Sequence, residues 1–102
     1  MHTVLLLDAM NLLRWDVEKN KRLAAEQNLS FEQIEFALEN DQLLDILRHP
    51  NQREYPGQIL LIVQIDHYVV VVPAVKEKSG FFLKTAFHSR KMTKKYLGSA
   101  KK

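Results

Sequence analysis

The stretch ILLIVQIDHYVVVV, residues 59–72, constrains the fold more than any other part of the chain. It is apolar enough to suggest a membrane helix, but Gln64, Asp66 and His67 interrupt it in the middle. Dense β-branched residues on either side of a polar break specify two adjoining strands instead. The strands are expected from Ile59 to Ile65 and from Tyr68 to Val75, joined by a tight hairpin turn at Asp66-His67 that lacks the usual glycine. KEKSG then makes a second turn and FFLKTAF a third strand, while RHPNQREYPGQ, with two prolines and a glycine, reads as an exposed loop carrying Arg48, His49 and Arg53.

Helical signals flank this meander. Asp16 can cap a helix running to about Gln27, with Glu18 in its first turn, Leu23 and Ala24 as a narrow apolar stripe, and Asn28 to end it in a left-handed conformation. Ser30 followed by Gln33 is a capping-box spacing, and Phe31, Ile34 and Leu38 then recur at helical intervals. Ser89 can cap a last helix, RKMTKKYL, ended by Gly98. At least one of the apolar patches 3–7 and 11–14 is expected to be a strand or strand-like lead-in. The resulting order is a segregated α+β fold: two N-terminal helices packed on one face of a small antiparallel sheet, then a short C-terminal helix. The other face is expected to be partly open.

At 102 residues and 46% hydrophobic content, the chain 1–102 is one domain with a single small core. It has no cysteine, so neither a disulfide nor a thiolate-held metal reinforces that core, and a reducing cytoplasm fits best. The start, MHTVLLLDAMNLLRW, is too soon broken by Asp8, and too poor in basic residues, for a signal peptide or a membrane span. His2, His49, His67 and His88 show no metal-ligand spacing, and no phosphate-cradling glycine loop occurs, so no cofactor is expected. A Ser-His-acid triad on Ser89 and His88 is disfavoured, because adjacent strand residues point oppositely.

Charge is divided sharply along the chain. The net value of +3 hides nine Lys/Arg against one acid in residues 76–102, giving +8, and six against eleven in residues 1–75, giving −5. The basic end attracts a polyanion. Histidine is the side chain suited to proton transfer near neutral pH, which makes His88 an acid or base candidate; Arg90 offers a planar fork to a phosphate, and Lys84 and Lys91 offer point charges. If the strand runs straight, Lys84 and His88 share a face. Lys94 and Lys95 extend the basic surface and would hold a phosphate backbone without reading its sequence. The bland alternative is a surface histidine beside a solvated basic face that ends in Lys101 and Lys102.

LRWDVEKNKRLAAEQNLSFEQIEFAL, with TAFHSRKMTKK further on, resembles the BrnT family of toxins from bacterial type II toxin-antitoxin pairs. Trp15, Asp16, Lys19, Asn20, Leu29, Ser30, Phe31 and Glu32 stand at matching places, as do Ser89, Arg90, Lys91 and Thr93. Asn28 replaces a usual glycine, and His88 is a departure. The likeness spans roughly residues 12–97 and implies a RelE-like ribonuclease fold, metal-independent RNA cleavage and a cognate antitoxin, expected to be a small DNA-binding protein. On that reading the catalytic candidates are Lys84, His88, Arg90 and Arg53, with Lys91, Lys94 and Lys95 binding RNA and no membrane involved. A non-catalytic nucleic-acid-binding or regulatory protein, including a degenerate toxin, explains the same charge.

Overall fold

A computed structural model describes residues 12–98 as β1 (Leu13–Trp15), α1 (Val17–Gln27), α2 (Phe31–Glu39), β2 (Leu43–Arg48), β3 (Gln58–Ile65), β4 (Tyr68–Glu77), β5 (Gly80–Leu83), β6 (Phe87–His88) and α3 (Arg90–Tyr96). The apolar patch at 3–7, His2, Lys101 and Lys102 lie outside the described residues. The strands form one mixed sheet in the order β1-β5-β4-β3-β2, with β6 also paired to β4.

The expected hairpin is its centre. β3 and β4 pair antiparallel from Gln58↔Val75 to Ile65↔Tyr68, leaving Asp66 and His67 as the turn. Asp66 takes φ 58, a left-handed conformation that aspartate tolerates better than most residues, so no glycine is required.

Both N-terminal helices begin and end on local hydrogen bonds. The Asp16 carboxylate accepts from the Lys19 N–H, and Asn28, at φ 55, returns its own N–H to the Leu23 carbonyl. Ser30 and Gln33 complete the capping box in both directions. Asn20 ties the helices together by accepting from the Phe31 N–H and donating to Glu32, each at 2.8 Å. That bond chiefly holds the Glu32 carboxyl below its usual range. Phe31, Ile34 and Leu38 are buried against Leu61, Val63, Val70, Val72 and Leu83, with Trp15 stacked on Phe31 at 5.5 Å. α1 buries Leu23, whereas Ala24 is exposed.

The sheet is larger than a small antiparallel meander, and it does not wait for the helices. β1 precedes them and runs parallel to β5, from Leu13↔Phe81 to Trp15↔Leu83. Gly80 makes this approach possible, because a Cβ there would fall on the Leu12 carbonyl oxygen. β2, in a stretch to which the sequence reading gave no element, pairs antiparallel with β3. Its Leu44 and Leu47 pack on the sheet face opposite α1 and α2, where α3 covers Ile62, Val69 and Val71 with Met92, Tyr96 and Leu97. α3 begins at Ser89, whose hydroxyl accepts from the Met92 N–H, and ends at Leu97, one residue before the expected Gly98.

The expected third strand is broken. From Leu83 to Phe87 the chain advances four residues while β4 advances only three, from Ala74 to Val71. One extra residue therefore sits within 84–86, a bulge that reverses which face later side chains take. Pro73 lies opposite the break: its carbonyl accepts from the Lys84 N–H at 2.8 Å, but it has no N–H to return.

Candidate functional site

Helix α3 sorts its residues by contact. Met92 and Tyr96, four apart, turn onto the sheet, and the Thr93 hydroxyl accepts from the Val69 N–H at 2.9 Å while donating to the Ser89 carbonyl. Arg90, Lys91, Lys94 and Lys95 are left exposed. None of the four forms an ion pair among the described residues, and the first turn of α3 contains no acid. Arg90 and Lys91 thus stand at the positive end of the helix dipole, where cations are unfavourable. The far end of the helix is anchored by the Tyr96 hydroxyl, which donates to Asp45 at 2.7 Å. This bond to the carboxylate, and then partial desolvation, push the phenol above its ordinary pKa.

The bulge separates two residues that a straight strand would have aligned. His88 pairs with Val70, on the sheet face that carries α1 and α2, and its exposed ring meets Tyr68 edge-on at 5.3 Å. Lys84 follows Leu83, which belongs to that same face, and therefore points to the other one. The shared-face expectation for Lys84 and His88 fails because of the single inserted residue.

Lys84 instead lines a cleft of about 390 Å³ with His49, Tyr55, Gln58, Pro73 and Thr85. The loop 49–57 forms one wall and is held in shape by Gln52. Its amide nitrogen donates to the His49 and Gln58 carbonyls at 2.8 and 3.0 Å, and its oxygen accepts from the Gly57 N–H. Gly57 takes φ 76 there, which suits glycine. His49 lies against Tyr55 at 4.5 Å, and its Nδ1 accepts from the Asn51 N–H at 3.0 Å. Because Nδ1 is the acceptor there, Nε2 is the ring nitrogen left to present a hydrogen-bond donor.

The structure therefore gathers the sequence candidates into two groups. Arg90, Lys91, Lys94 and Lys95 share α3, with His88 just before its cap, and Lys84 stands in the cleft. Arg53 is exposed on the loop but does not line the cleft. No spacing in the sequence marks Tyr55, Gln58 or Thr85, which join the site only through the path of the loop. Pro73 within a β-branched run was the one available sign of an irregular partner strand.

At the far edge of the cleft's sheet face, Arg14 makes a bidentate pair with Glu77, both contacts at 2.9 Å, and lies over Phe82. Among the described residues no three His, Asp or Glu side chains cluster as a metal site requires. No helix there is long and apolar enough to cross a membrane. Comparison with protein-family models, curated proteins and solved structures gave no match.

Proposed function

We propose that the protein binds RNA along α3 and the Lys84 cleft and cleaves it without a metal ion, as a RelE-like toxin of the BrnT kind held in check by an antitoxin. The observation that carries this reading is the set of four exposed cations on α3, none of them in an ion pair among the described residues and two placed against the helix dipole. A charge arrangement that costs local stability is accounted for by a polyanionic ligand. The build is compatible: α1 and α2 on one sheet face, an antiparallel meander of β2 to β5, and a short α3 on the other face. The parallel β1 is an addition to the expected plan.

Cleavage of this kind forms a bond from the ribose 2′-oxygen to phosphorus and breaks the bond from phosphorus to the 5′-oxygen. A base takes the 2′ proton, the leaving oxygen gains one, and the products are a 2′,3′-cyclic phosphate and a 5′-hydroxyl. In the cleft, Lys84 and the Nε2–H of His49 suit the crowded phosphate oxygens, as a cation and a donor. His88, the base candidate, lies three β4 residues away and on the opposite face.

That separation favours a second reading, a non-catalytic RNA binder using the same cations. The test is single-turnover cleavage of a short RNA in EDTA, beside binding of an uncleavable 2′-deoxy analogue. For the enzyme, Lys84→Ala lowers cleavage roughly 100-fold while binding stays within about threefold. Absence of cleavage by the unaltered protein, with Arg90→Ala and Lys94→Ala each weakening binding modestly, establishes the binder instead.

A further inference from the structure

A groove of about 600 Å³ lies between α2 and the β3–β4 turn, lined by Glu32, Gln33, Phe36, Ala37, Asn40 and Asp66 among others. Phe36 stands at its edge with 67% of its surface exposed, although its neighbour Ala37 is buried. Phe36 is continuous with Ala37 and Ile65 in the lining, so the groove has an apolar side rather than a singly exposed ring.

The charged residues that line it are Glu32 and Asp66, both acids. Neither Glu32 nor Asp66 forms an ion pair among the described residues, and the Asn20 hydrogen bond keeps Glu32 ionised. Glu39 occupies the last turn of α2, which has no base, so it too stands against its helix dipole. This is the mirror image of α3, on the opposite face of the sheet.

We propose that this groove docks a basic segment of a partner protein that carries one large apolar side chain. The apolar side chain seats against Phe36, Ala37 and Ile65, and flanking Lys or Arg residues meet Glu32 and Asp66. A second copy of this chain does not supply such a segment from α3. Its apolar residues Met92, Tyr96 and Leu97 are already turned onto its own sheet, and its exposed side is cationic alone. The inference is independent of RNA binding, since it concerns the other face and the opposite charge.

Two fluorescein-labelled probe peptides of equal charge test it against the full chain, one of Leu and Lys at helical spacing and one of Ser and Lys. The Leu/Lys peptide binds at least about tenfold more tightly than the Ser/Lys peptide, and Phe36→Ala removes roughly that factor. Phe36→Leu restores most of it, and Glu32→Gln combined with Asp66→Asn flattens the salt dependence. Circular dichroism confirms that the variants fold, alanine and leucine being good helix formers. Equal binding of the two peptides, or a Phe36→Ala change within about twofold, overturns the proposal. So does sedimentation showing self-association that Phe36→Ala abolishes, because a second copy is then the occupant.

Discussion

Tyr96 illustrates how much one polar contact decides. Its hydroxyl makes a side-chain bond between α3 and β2, and donation to the Asp45 carboxylate favours the protonated phenol. The folded pKa is raised, so this contribution is full below the unfolded tyrosine value of about 10 and is lost as pH rises through the higher folded one. Of three tyrosines, the one absent from a Tyr96→Phe variant should be a late-titrating one in a phenolate absorbance titration. An unchanged titration curve apart from a uniform loss of amplitude would refute the assignment. Residues whose partners are three to five positions away were legible from sequence: Asp16, Asn28, Ser30, Gln33 and Ser89 all cap as their types demand. Tyr55 and Gln58 were not, because their place beside Lys84 depends on how a loop and a distant strand edge meet.

For whole elements, α3 sets function against stability. Lys91→Glu places an acid in the first turn, where the dipole favours it, and should stabilise the fold by about 0.5–1 kcal/mol in urea denaturation. The same variant should bind RNA more weakly, since it removes one cation and adds a repelling charge. If stability falls as well, the lysine makes a structural contribution and the case for a ligand loses its main support. The hairpin and all three helices were readable because hydrophobic period and caps are local signals. The bulge at 84–86 was not, since FFLKTAF alternates acceptably on its own and the extra residue is defined only against β4. One unseen residue was enough to move Lys84 away from His88.

Across the whole molecule, α2 and its acids lie on one side of the sheet and α3 with its cations on the other, so part of the charge split along the sequence becomes a split between faces. The split was visible in the sequence, but its assignment to faces needed the order β1-β5-β4-β3-β2. That order also fixes a sequence of assembly. The β3–β4 hairpin closes a two-residue loop, whereas Leu13 must find Phe81 across the rest of the chain. Long closures lose more chain entropy and are rewarded late, so the β1–β5 seam should form last and open first. In native-state hydrogen exchange, the Phe81 amide, bonded to the Leu12 carbonyl, should lose protection by a sub-global opening well before the amides of β3. Equal protection at both places would mean that the three residues of β1 are a full member of the cooperative core. Otherwise the first strand is a latch, released while the hairpin stays shut.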